Sequence, residues 1–207
     1  MCSSDLHRGV DRIVAACNTA SALAVPKIAD SAGVPLHGMI ESGVRAVLRA
    51  GGKGAVGVIG TSATIASGAY QKALAKARPG LKVVAQATPL FVPLVEEGWL
   101  DHEVTEKVAR EYLQPLIREE VGVCVLACTH YPLLKRVIQR VLGGGVKLVD
   151  SSEACAESLR DSESGIAEKG ELRIFLTDEP GPFLGRVESF LGKGAVGSIE
   201  RIHLPLG

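Results

Sequence analysis

Val14-Ala15-Ala16-Cys17-Asn18-Thr19 has a second, altered copy later in the chain, at Val125-Leu126-Ala127-Cys128-Thr129-His130. Each copy is an apolar run, then Ala-Cys, then two polar residues, then a helix-like segment. An apolar run ending this way reads as a buried parallel strand feeding a helix. The carboxyl end of such a strand is where open α/β sheets place ligands. A cysteine there sits near a helix N-terminus, whose dipole and free N–H groups favour thiolate. The neighbouring Asn, Thr and N–H groups could hold a carboxylate. One buried cysteine at a strand end is ordinary, since cysteine serves as a small hydrophobe. Two, each followed by polar donors, point to function: from similar halves they could face one ligand from opposite sides.

Outward from the first copy, Val10 to Ala16 reads as strand and Thr19 to Ala32 as a helix that Pro26 should kink or split. A short strand over Pro35 to Met39 and a helix over Glu41 to Ala50 follow. Ala55 to Ile59 is the next strand, and Thr61 is a good N-cap for a helix to Ala77. Leu81 to Ala87 reads as strand, Thr88 to Gly98 as an irregular or short helical segment, and His102 to Glu119 as an amphipathic helix. That helix should turn Val104, Val108, Leu113, Leu116 and Ile117 inward. Around the second copy, Val121 to Ala127 is strand and Tyr131 to Leu142 helix, with Pro132 tolerated in its first turn. Val146 to Val149 is strand, and Ser151 to Arg160 is a helix capped by Ser151 or Ser152. The rest reads as a polar loop over Asp161 to Gly170, strand Leu172 to Leu176, helix Phe183 to Leu191 and strand Ser198 to Leu204. Strands alternating with helices mean a parallel-sheet α/β fold with right-handed crossovers. The near-repeat suggests two sheets of related design.

Composition bounds the chemistry. Hydrophobic content is 46%, but aromatics are only 4%, so the core must be aliphatic and rich in Ala and Gly. Lys+Arg and Asp+Glu balance at 23 each, which argues against a nucleic-acid stripe or an acidic tail. The five cysteines (2, 17, 124, 128 and 155) are odd in number and widely spaced, which fits a reducing cytosol and a cytoplasmic location. No CxxC spacing occurs, and Cys124 and Cys128 on one strand would not make a metal pair. The start is polar rather than a signal peptide, and the most apolar stretch, Val83 to Val95, is too short to span a bilayer.

Gly51–Gly54 and Gly143–Gly145 read as turns and helix ends. A phosphate loop needs Gly-Lys followed by Ser or Thr, and Lys53 precedes Gly54. The hexamer Gly-Lys-Gly-Ala-Val-Gly at 52–57 and again at 192–197 marks a turn entering a strand. His130, two residues after Cys128, could tune that thiol or donate a proton. Of Glu96 and Glu97, one could point inward, because the pair follows an apolar, Pro-interrupted run. The chemistry that wants two thiols is stereo-inversion at a weakly acidic carbon. One base removes a proton from one face, and a conjugate acid returns one to the other. A cysteine hydrolase would need only one of the cysteines and leaves the repeat unexplained.

Several runs resemble the glutamate racemase family, within the cofactor-independent aspartate/glutamate racemases. They are Ala16-Cys17-Asn18-Thr19-Ala20-Ser21, Gly57-Val58-Ile59-Gly60-Thr61, Pro89-Leu90-Phe91-Val92-Pro93-Leu94-Val95-Glu96 and Leu126-Ala127-Cys128-Thr129-His130-Tyr131-Pro132-Leu133. Val149-Asp150-Ser151, Thr177-Asp178, Phe183 and Phe190-Leu191-Gly192 add to the likeness. The Cys motifs are shared in part with the aspartate branch, while the Pro-Leu-Phe-Val-Pro-Leu-Val-Glu run points to glutamate.

The resemblance implies racemisation of L-glutamate to D-glutamate for peptidoglycan, with no cofactor and no metal. Cys17 would work one face and Cys128 the other, with Glu96 and His130 assisting proton transfer around Cys128. Asn18, Thr19, Thr61, Thr129 and His130 would bind the substrate. The expected partners are the small-molecule substrate glutamate, no nucleic acid and no membrane, with a homodimer among the assemblies allowed. The expected fold is two similar parallel-sheet α/β domains with the active site in the cleft between them. The first comprises 1–40 with 150–207, and the second 41–149. The family's opening Asp-Ser-Gly-x-Gly-Gly and Pro-Tyr-Gly segments precede its first Cys and are absent here, so the first domain is expected to be incomplete at its N-terminus. Thr88 stands where the family usually has Cys, and Ser42 where it usually has Pro; both are expected to matter little. The readings beside this one are a non-catalytic relative that binds a small dicarboxylate or a partner, and an aspartate racemase.

Overall fold

The computed structural model describes residues 9–52, 54–161, 172–179, 187 and 196–203. Strand β1 (Ile13–Ala15) pairs in parallel with β2 (Leu36–Gly38). Between them run helices α1 (Asn18–Leu23) and α2 (Val25–Ile28) and a 3₁₀ turn, Ala29–Ser31. The expected split at Pro26 falls at Ala24. Pro26 then occupies the first turn of α2, where its missing N–H leaves no bond unmade. Helix α3 (Met39–Ala50) follows directly. Ser21 joins these pieces: its hydroxyl donates to the Ala15 carbonyl at 3.0 Å and accepts from Met39 N at 2.9 Å.

The larger sheet is β3 (Val56–Gly60), β4 (Val83–Ala87), β5 (Val123–Ala127) and β6 (Lys147–Asp150), all parallel in the order β4-β3-β5-β6. Every residue of β3 and β5 is buried, which is why both read as unbroken apolar runs. One face packs Ile59 and Leu126 against Phe91, Leu113, Leu116, Tyr131 and Ile138. The other packs Val58 and Val125 against Ile40, Val44, Val47, Tyr70 and Leu74. Each fully buried Leu contributes about 1.5–3 kcal/mol.

The helices on these faces are α4 (Ser62–Ser67), α5 (Ala69–Ala77), α6 (Phe91–Glu96), α7 (Glu103–Arg118), α8 (Lys135–Leu142) and α9 (Ser151–Asp161). The helix expected from Thr61 to Ala77 is two helices, because Gly68 takes the left-handed conformation at φ 67°. Tyr131–Leu134 is a 3₁₀ turn, so the helix expected from Tyr131 begins only at Lys135. The inner stripe of α7 is Thr105, Ala109, Leu113 and Leu116, with Val104 and Val108 partly buried and Ile117 exposed. Gly57 admits this helix closely: a Cβ there would come within 2.6 Å of Leu116 Cδ2. The cap of α9 is Asp150, not Ser151 or Ser152. Its Oδ1 accepts from Ser152 N at 2.8 Å and Glu153 N at 3.3 Å.

Residues Val10–Ser162 make one compact unit, and a second contains β7 (Arg173–Leu176) and β8 (Ser198–Arg201), a parallel pair. Of the helix expected over Phe183–Leu191, only Val187 is described, and it is helical. Residues 162–170 of the expected loop lie outside the described residues. Among the described residues no helix is long and apolar enough to cross a membrane.

Candidate active site

From β3 the chain steps outward to β4, then returns to the other side of β3 as β5. The order therefore reverses between β3 and β5, and the crevice beyond their carboxyl ends is the ligand position of an open α/β sheet. Gly60 and Ala127 are register partners at this edge, and Thr61 and Cys128 are the next residues.

Cys128 is 7% exposed. Its Sγ receives the backbone N–H groups of His130 and Tyr131, yet burial dominates and pushes the thiol up, aided by the charge of nearby Cys17. The expectation that a helix end favours thiolate fails here, because desolvation of the charged form outweighs two backbone donors. Sγ lies 3.9 Å from His130 Nδ1, and His130 Nε2 lies 3.4 Å from Glu96 Oε1. Glu96 ends α6 and is half-exposed, so thiol, imidazole and carboxylate form a line running outward to water.

Cys17 is exposed and is the N-cap of α1, its Sγ accepting from Ala20 N at 3.5 Å. Asn18 beside it is 1% exposed. Its amide nitrogen donates to Ser151 Oγ at 2.9 Å, and its oxygen accepts from the Tyr70 hydroxyl at 2.7 Å. Ser151 in turn donates to the Leu126 carbonyl at 3.1 Å, which ties the Cys17 turn to the strand that carries Cys128.

Thr19, Thr61 and Thr64 form a triangle of hydroxyls, with Oγ1 separations of 2.9 Å for Thr19–Thr61 and 3.0 Å for the other two. Thr61 is the expected N-cap, its Oγ1 accepting from Thr64 N at 3.2 Å. Thr129 is exposed. Of the residues singled out by sequence, Cys17, Cys128, His130 and Glu96 are brought together, as are Thr19 and Thr61. Thr64, Tyr70 and Ser151 were missed. Thr64 had a weak signal, as a second hydroxyl three residues after a capping threonine, and Ser151 stood in the family-like run Val149-Asp150-Ser151 without being given a role in the site; Tyr70 had none. Among the described residues no group of three His, Cys, Asp or Glu could hold a metal ion.

A family model described as Asp/Glu/Hydantoin racemase matches residues 2–159. The chain belongs to this family. Within it, the glutamate racemase of Geobacter metallireducens is 45% identical over 205 residues, covering 96% of this chain and 76% of that protein. Among solved structures, a glutamate racemase isoform from Bacillus anthracis superposes with a TM-score of 0.89 at 31% identity, covering 99% of this chain and 79% of that one. The glutamate racemase of Francisella tularensis subsp. tularensis SCHU S4, solved in complex with D-glutamate, gives a TM-score of 0.86 at 31% identity over 98% of this chain and 77% of that one. The family fold is thus shared along nearly the whole chain.

Proposed function

We propose that this chain interconverts L- and D-glutamate by a two-thiol mechanism without a cofactor, supplying D-glutamate for peptidoglycan. The observation that carries the reading is the pair of thiols at the carboxyl ends of β1 and β5. The Asn18–Ser151–Leu126 hydrogen bonds link the turn that bears Cys17 to the strand that leads into Cys128. One thiolate takes the α-proton from one face, and the opposite thiol delivers a proton to the other face, so one proton leaves and one arrives. His130 and Glu96 then restore the proton on Cys128. Thr19, Thr61 and Thr129 offer hydroxyls to the substrate's carboxylate and amino groups, with Thr64 completing the triangle. Asn18 holds the Cys17 side of the site from beneath. The fold similarity and a relative solved with D-glutamate support glutamate as substrate.

Division into domains 1–40 with 150–207 and 41–149, with the site in the cleft between them, belongs to this proposal. Its support is that the β1–β2 pair and the four-stranded sheet fall on either side of residue 40. A cytoplasmic location and a homodimer are further parts of it.

The test is proton NMR of L- and D-glutamate in D₂O with the purified chain, beside Cys17→Ala and Cys128→Ala. The expected result is loss of the α-proton signal from both enantiomers, with racemisation abolished in each variant. A folded chain that exchanges neither enantiomer would overturn the proposal and make this a binding protein.

A further inference from the structure

Thr88 and Tyr131 are each 0% exposed, and the acid–base scheme above uses neither. Thr88 leaves the end of β4, and Tyr131 directly follows His130. The Thr88 hydroxyl lies 2.8 Å from the Tyr131 hydroxyl, to which it donates, and the Tyr131 hydroxyl donates to the Thr88 carbonyl at 3.0 Å. Two buried hydroxyls are costly unless paired, and these satisfy each other.

What the pair joins is informative. The Thr88 carbonyl also accepts from Phe91 N at 3.1 Å, in the first turn of α6, the helix that ends in Glu96. Thr88 N donates to the Gly60 carbonyl at 2.9 Å, at the end of β3. Tyr131 N donates to the Cys128 carbonyl at 3.2 Å and also reaches Cys128 Sγ. The Phe91 and Tyr131 rings meet edge to face, with centroids 5.3 Å apart. The helix bearing Glu96 and the turn bearing Cys128 and His130 are therefore joined by two reciprocal hydrogen bonds. Apolar residues of equal volume would fill the space and keep the ring contact, but would lose both directional bonds between the turn and the segment that enters the helix.

We propose that the Thr88–Tyr131 hydroxyl pair is a positioning device that holds the Cys128–His130 turn in register with the helix carrying Glu96. It rests on the reading of Cys128 as an acid–base thiol. Neither residue touches substrate; both act through the relay.

The test uses the full chain with Thr88→Val, Thr88→Ser and Tyr131→Phe. The first readout needs no turnover. It is the pH dependence of iodoacetamide alkylation at Cys128, followed by peptide mass spectrometry, with Cys17 as internal reference. The second is kcat and KM for racemisation. For Thr88→Val and Tyr131→Phe, the Cys128 profile should move along the pH axis while that of Cys17 stays. Their kcat should fall about tenfold to a hundredfold, the scale of a small misplacement of reacting groups, with KM little changed. Thr88→Ser keeps the hydroxyl but loses a buried methyl, so it should melt earlier while keeping the parent profile and kcat. Should Thr88→Val and Tyr131→Phe merely melt earlier, with the Cys128 profile and kcat unmoved, the pair is core packing and the proposal is wrong. Absence of racemisation in the unaltered chain would count against the two-thiol reading; the alkylation profile would still decide the positioning claim.

Discussion

Removing one oxygen, Tyr70→Phe, isolates what holds the Cys17 turn in place. The Tyr70 hydroxyl donates to Asn18 Oδ1 at 2.7 Å, and both residues are almost fully buried. Phenylalanine keeps the ring in its core, so the cavity term is that of a single atom. The larger cost is a buried amide oxygen left without its donor, about 1–3 kcal/mol. With a urea m-value of about 2 kcal/mol/M, the midpoint should fall by roughly 0.5–1.5 M with m unchanged. Trp99, the only tryptophan of the chain, lies in the Val10–Ser162 unit and reports its unfolding by fluorescence. Ser151→Ala strips the same amide of its other partner. Because the two residues share one network, the double variant should cost less than the sum by at least about 0.5 kcal/mol. A Tyr70→Phe change within about 0.3 kcal/mol of the parent, or strict additivity of the pair, would refute the claim that this network fixes Asn18.

Gly43→Ala should destabilise, although alanine is favoured over glycine in a helix by about 1 kcal/mol. The new Cβ would lie 2.7 Å from the Tyr70 hydroxyl, and the loss of melting temperature should shrink in a Tyr70→Phe background. Burial pushes the Cys124 thiol from its ordinary 9.0 up to about 12. The unfolded chain releases that proton first, so this group's stability is intact below the ordinary value and is lost as pH rises toward the folded one. The slope is at most about 1.4 kcal/mol per pH unit, and melting curves above pH 9 should fall less steeply for Cys124→Ala than for the parent. His130→Asn should cut kcat by about 10²–10⁴-fold, the usual worth of a positioned acid–base group. Glu96→Gln should cost less, since that carboxylate is half-exposed and screened by water; steady-state kinetics with both enantiomers checks the order.

The parallel α/β plan was legible because β3 and β5, buried on both faces, are built only from apolar residues and glycine, with no charged or strongly polar side chain in either. The candidate site was legible where chemistry leaves a local mark, as in two Ala-Cys strand ends, a histidine two residues on and a glutamate closing an apolar run. Helix boundaries were less so. Gly68 breaks α4 from α5 only because the backbone takes φ 67° there, a choice that the residue permits without requiring. Pairing across the chain left no local signal at all, and so Thr88, expected to matter little, emerges as half of a buried hydroxyl pair with Tyr131.

By itself, the sequence determined the fold class and the thiols, since periodicity, strand-end placement and repeated motifs are properties of short stretches. Tertiary structure alone decided how those groups are tuned. Burial at Cys128 outweighs the N–H donors that its own turn supplies, and it is built from residues far away in the chain. The hydroxyl triangle and the Tyr70–Asn18–Ser151 network likewise exist only because separate βα units meet at one sheet edge. Desolvation and hydrogen bonding depend on what surrounds an atom in space, and that is fixed only when the chain has folded.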